Sequence, residues 1–169
     1  MIRILPLERE AAPEDLLALE VLFTEMYRFM DEHGLTMTLA PGGAGLWLKT
    51  QMPMLGKLNT VVCAWQEVAP STEYPEGRRM VGFAAGSIRM SPAHLGGLKG
   101  GAVTHIYVRP DLRGTGVGEE LYRALSSWFA SKEVTYLELE VLEANTGART
   151  FWEKLGYRSD HLVMRRKPH

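Results

Sequence analysis

The stretch Arg113-Gly114-Thr115-Gly116-Val117-Gly118 sets a glycine at every second position, between the apolar run AVTHIYVRP and a run with helical spacing. Glycine costs a chain conformational order, so this spacing needs a cause. The first N–H groups of a helix have no partner inside it and carry partial positive charge. Glycines ahead of them let the backbone turn tightly and let an anion reach the amides. A phosphate or pyrophosphate is the natural guest, and Arg113 adds a formal charge. A tight turn that needs positive φ is the alternative, but alternate glycines beside a basic residue exceed what a turn requires.

Two nucleotide loops fail on the residues. A P-loop closes on Gly-Lys-Ser/Thr, whereas Glu119 and Glu120 follow Gly118 here. A dinucleotide fingerprint needs G-x-G-x-x-G. Gly114 and Gly116 fit it, and Glu119 stands where the third glycine belongs.

The surrounding pattern is strand, one or two helices, three strands, helix, strand, helix, strand. IRILPL, NTVVCAWQEV, MVGFAAGSIRM, AVTHIYVRP, VTYLELEVL and YRSDHLVMRRK read as strands. Pro13, Glu14 and Asp15 open a helix carrying Leu16, Leu19, Leu22, Phe23, Met26 and Met30 at three- and four-residue steps, and Gly34 stops it. GLWLKTQMPML is a shorter helix. Val117, Leu121, Leu125 and Trp128 mark one face of the helix after the glycines, and NTGARTFWEKLG is the last helix. The expected fold is α/β (α+β), a mixed central sheet with helices on its faces. At 169 residues, with no repeat or linker, residues 1–169 are expected to be one domain.

Several function classes drop out. The net charge is -1, which argues against nucleic acid and anionic membrane. The five histidines have no ligand-like spacing, so no metal is expected. The single cysteine, Cys63, lies inside VVCAW, where a buried thiol is expected rather than a nucleophile. MIRILPLERE has no apolar core of signal-peptide length, so the expected compartment is the cytoplasm. Acids outnumber bases from Glu8 to Glu32 and the final MRRKPH is basic. These are either solvated faces or an acidic wall that favours a cationic substrate.

The motif Arg113-x-x-Gly116-x-Gly118 resembles Arg/Gln-x-x-Gly-x-Gly/Ala, the pyrophosphate loop of the GNAT superfamily of N-acetyltransferases. THIYVRPDL resembles that family's fourth strand, and LELEVLEANTGARTFWEKLGY its second conserved block. The likeness spans Val103 to Tyr157. It implies a mostly antiparallel mixed sheet with splayed fourth and fifth strands. It also implies acetyl-CoA (coenzyme A) as acyl donor, with pantetheine along the backbone of Ile106, Tyr107 and Val108. The amides of Arg113, Gly114, Thr115, Gly116, Val117 and Gly118 would hold the pyrophosphate, and Asn145 would contact pantetheine. Asn145 is equally suited to capping a helix, and the two roles are compatible.

The reaction so implied is direct attack of a neutral amine on the thioester, without a covalent enzyme intermediate. Many relatives use Tyr as the acid in FY-x-K-x-G. Trp152 stands there, and indole donates no usable proton, so Trp152 is expected to pack against sheet or pantetheine. Relatives often carry a carboxylate just before the YV segment, where this chain has Thr104 and His105. His105 is the candidate base, or else a core histidine; Glu138 and Glu140 are alternatives. The acceptor is an amine on a small molecule, cationic by preference, or on a protein, and a homodimer is compatible with such a chain. The contrasting function is a catalytically degenerate module that binds or senses acyl-CoA.

Overall fold

The computed structural model describes residues 1–166. In chain order it contains β1 (Ile2–Pro6), α1 (Pro13–Glu32), α2 (Gly43–Gln51), β2 (Asn59–Glu67), β3 (Arg78–Met90), β4 (Lys99–Val108), α3 (Val117–Ser131), β5 (Tyr136–Leu139) and α4 (Thr146–Lys154). The strands lie in the order β1-β2-β3-β4-β5. The first three pairings are antiparallel and β4–β5 is parallel. A parallel pair needs a crossover, and α3 supplies it.

The central strands are buried on both faces, which is why NTVVCAWQE reads as an unbroken apolar run. Val61 and Cys63 point to one face, with Leu19, Leu22, Phe23 and Met26 of α1 and Leu48 of α2. Val62 and Ala64 point to the other, with Val117, Leu121, Leu125 and Phe129 of α3 and Trp152 of α4. The inner stripe of α3 closes on Phe129 rather than on the expected Trp128, because the spacing continues by four. Trp128 stays partly buried, with the Lys132 ammonium 5.4 Å from its ring centroid.

Two further expectations are corrected. β4 starts at Lys99, ahead of the expected strand AVTHIYVRP and inside the glycine-rich stretch before it. A side chain at Gly100 or Gly101 would collide with the Tyr136 or Phe129 ring, so glycine is what lets these residues join the sheet. The expected last strand, YRSDHLVMRRK, forms no strand over residues 158–166, and Lys167 lies outside the described residues. Neither alternate set of that segment is consistently apolar, so no face is fit for burial against the sheet.

The geometry that creates a site is in β4. Ala85 of β3 faces His105 and Gly86 faces Val103, so Thr104 is an extra residue on β4, a bulge. Pairing with β5 ends at Val103–Leu139. Beyond it, Thr104 to Val108 has β3 on one side and, among the described residues, no strand on the other.

Candidate active site

The N–H of Arg109 donates to Val81 O at 2.9 Å, so the main chain of Arg109 faces β3. Successive residues alternate edges. Tyr107 therefore also faces β3, and its carbonyl lies 2.8 Å from where a Cβ on Gly82 would be. Ile106 and Val108 present their N–H and C=O groups to the open side. Of the expected edge residues, Tyr107 is committed to the sheet, Ile106 offers its N–H and C=O, and Val108 offers its N–H, its C=O being taken by the Arg113 side chain.

The open edge runs into a turn, Pro110–Leu112, and then into the glycine loop. Arg113 N–H donates to Pro110 O at 3.3 Å and Thr115 Oγ1 to Leu112 O at 2.7 Å. Among the described residues, no backbone carbonyl accepts from the amides of Gly114, Thr115, Gly116, Val117, Gly118 or Glu119. Gly114 and Gly116 have φ of +75° and +94°, and a Cβ on either would meet nothing within 4 Å. Glycine is needed there for backbone conformation, and the space before the amides is open. Gly118 has no such strain and sits in the first turn of α3 beside Phe151. This row of unpartnered donors at a helix N-terminus fits an anionic pyrophosphate, and the open edge leading to it fits an extended amide-bearing arm.

The Arg113 side chain turns onto the strand. Its Nε donates to Val108 O at 3.1 Å. Its guanidinium carbon lies 4.6 Å from the ring centroid of Phe29 on α1 and 5.5 Å from that of Tyr107.

On the α1 face of β4, His105 is enclosed by aromatic rings. Phe23 is 5.0 Å away, Trp47 5.4 Å and edge-on, and Tyr27 6.3 Å. Its Nδ1 is buried without a hydrogen-bond partner. Burial pushes its pKa down to about 4, so the ring is neutral near pH 7 and a weak proton acceptor. Glu25 of α1 accepts from Tyr107 Oη at 3.5 Å and pairs with Arg109 at 3.4 Å. Burial, then the Glu25 charge, raise the Tyr107 phenol. Glu25 was missed in the sequence. The available signal was its position three residues after Leu22 and next to Met26, on the helix's buried stripe, where a freely solvated acid does not belong.

Across the sheet, Asn145 Oδ1 accepts from Ala148 N–H at 3.1 Å and caps α4. Trp152 is buried and edge-on to Tyr122, Phe151 and Tyr157. Tyr122 and Tyr157 share a 3.1 Å hydroxyl contact, and burial followed by that contact pushes the Tyr157 phenol far up. A phenol held so high is a poor proton donor to a thiolate, whose conjugate acid titrates near 8.5. Cys63 is buried, and desolvation pushes its thiol up to about 12. Glu138 is exposed and pairs with Arg89 at 3.4 Å; Glu140 is exposed. Among the described residues no cluster of His, Cys, Asp and Glu could hold a metal, and no helix is long and apolar enough to cross a membrane.

The model of the acetyltransferase (GNAT) family matches residues 50–157. The chain belongs to the acetyltransferase (GNAT) family. An uncharacterised N-acetyltransferase of Methanocaldococcus jannaschii is 30% identical over 86 residues, 50% of this chain and 50% of that protein. The chain's match thus spans about half the length of that curated relative. Two solved structures superpose along nearly the whole chain. One is AAC(6')-Iy in complex with a bisubstrate analogue, CoA-S-monomethyl-acetylneamine (TM-score 0.72, 17% identity, 100% and 99% of the two chains). The other is a ribosomal-protein-alanine N-acetyltransferase from Brucella melitensis biovar Abortus (TM-score 0.66, 20% identity, 99% of each chain). At these identities the likeness is one of fold alone, and it covers the N-terminal half as well.

Proposed function

We propose that this GNAT protein transfers an acetyl group from acetyl-CoA to a primary amine. The observation that carries the reading is the continuity of the open β4 edge, Ile106 and Val108, with the unpartnered amides of Gly114 to Glu119. Coenzyme A has the matching chemistry, an amide-bearing arm ending in a pyrophosphate. The amides would hold the pyrophosphate and the edge would hold the arm. A free N–H on that edge is suited to a developing oxyanion. Asn145 Nδ2 is not used by the cap and remains available to the arm.

The acetyl carbon gains a C–N bond and loses its C–S bond, and the amine gives up one proton. The thiolate is a competent leaving group near neutral pH, so no side-chain acid is required, consistent with Trp152 in place of a tyrosine. The protonation work lies on the amine side, where His105 and Glu25 are the candidate proton acceptors beside β4. His105 is the weaker candidate because its burial opposes a positive charge. Glu14 and Glu20 of α1 have no ion-pair partner among the described residues, and this negative bias favours a cationic acceptor.

The missing tyrosine and the enclosed histidine favour a second reading, an acyl-CoA-binding module without turnover. Incubation of the protein with acetyl-CoA and a panel of primary amines, read as free-thiol release, separates the two. Amine-dependent thiol release supports the transferase. Tight CoA binding with no release above the solution rate for any amine supports the module.

A further inference from the structure

We propose, resting on the donor site above, that Arg113 is a positioning residue whose guanidinium ties the amide loop to the open edge of β4 and to α1, rather than serving as the pyrophosphate's counter-charge. The Nε–H is engaged on Val108 O at 3.1 Å, and the guanidinium lies over Phe29 at 4.6 Å with Tyr107 at 5.5 Å. A planar guanidinium can donate in its plane while stacking flat through its face; a lysine ammonium is a compact tetrahedral charge without that flat face or fixed fork of donors.

The loop needs such a tie. From Gly114 to Gly116 it has open space around its glycines, and its own bonds reach back only to Pro110 and Leu112. Arg113 is the residue whose side chain spans from the loop to the strand edge along which the donor arm would lie. Its other contact, Phe29, is on the helix that carries Phe23, Glu25 and Tyr27. One side chain thereby sets the loop, the edge and the amine-side helix in register. Releasing it widens the loop's ensemble, so the cost falls on donor affinity and not on the chemical step.

The test compares Arg113→Lys, which keeps the charge, with Arg113→Met, which keeps the apolar stem. CoA affinity is measured by calorimetry at two salt concentrations, with apo melting temperature and, where turnover is found, kcat and KM for acetyl-CoA. Both variants are expected to weaken CoA binding to a similar degree, roughly tenfold, the effect of about one hydrogen bond. The salt dependence should stay that of the wild type and kcat should hardly move. Phe29→Leu, which removes the ring under the guanidinium and leaves the loop intact, should weaken CoA binding in the same direction and covers the case in which an Arg113 variant does not fold. Wild-type affinity in Arg113→Lys together with a loss and a shallower salt dependence in Arg113→Met would assign the charge to the phosphate and overturn the proposal. Lower melting with unchanged CoA affinity in all three variants would overturn it as well, by leaving a structural role alone. A wild-type protein that does not bind CoA overturns the donor site, and this inference with it; a wild type that binds while the variants match it overturns only the inference.

Discussion

His105 lies edge-on to Trp47, ring centroids 5.4 Å apart, with its Nδ1 buried and unpaired. Burial lowers its pKa from 6.5 to about 4. The neutral ring is therefore the folded state's form. Above the unfolded value both states are neutral and this group adds no pH dependence. As pH falls from about 6.5 toward 4 the unfolded chain takes up a proton that the fold refuses, and stability is lost. Below the folded pKa the loss levels off, at about 3 kcal/mol. Denaturant titrations across this range should show a steeper fall for the wild type than for His105→Leu. Turnover by folded His105→Leu should drop far less than the roughly 10²–10⁴-fold expected for a positioned general base. A rate loss of that size without loss of stability would restore His105 as the base.

Gly116→Asp should leave the apo fold standing and abolish CoA-induced stabilisation. Its φ of +94° makes any side chain strained by about 1–2 kcal/mol, but a Cβ there meets nothing within 4 Å. The new carboxylate would face the same amides as the pyrophosphate. The wild type should gain about 2.7 kcal/mol at a CoA concentration a hundred times its Kd. Thermal melts with and without CoA decide the matter, and an unchanged shift in the variant would remove the loop from the donor site.

Trp152→Phe should melt lower and turn over almost normally. The indole is buried among Tyr122, Phe151 and Tyr157, and an indole N–H is too weak an acid to supply a proton near neutral pH. A large fall in kcat with CoA binding and folding intact would contradict a packing role.

Two glycines should respond oppositely to alanine. A Cβ on Gly82 would stand 2.8 Å from the Tyr107 carbonyl and 3.2 Å from Leu121 Cδ1. The carbonyl belongs to a paired strand and cannot retreat, so Gly82→Ala should cost about 1–3 kcal/mol. A Cβ on Gly118 would meet Phe151 at 3.5 Å, an ordinary contact, in the first turn of a helix. Gly118→Ala should be neutral or stabilising by up to about 1 kcal/mol. Urea midpoints of the two variants measure this directly.

The glycine loop, the helix that follows it and the Asn145 cap were legible in the chain because their causes are local. Positive φ at Gly114 and Gly116, free amides in a first helical turn and a side chain bonding three residues on all act within a few positions. The segments that became β1 to β5 were legible from periodicity for the same reason, whereas YRSDHLVMRRK formed no strand over residues 158–166. The open edge of β4 was expected from the family resemblance alone and from no local pattern, because it depends on where pairing with β5 stops and on Thr104 having no opposite residue in β3. Both are registers between segments far apart in sequence. The direction of Arg113 was set by Phe29 on α1, the partnership of Glu25 by Arg109, and the low basicity of His105 by rings from α1 and α2. Charge and residue type can be read one position at a time. Burial and pairing belong to the neighbours that tertiary packing supplies, and only these decided which groups stayed free to bind and which were spent on the fold.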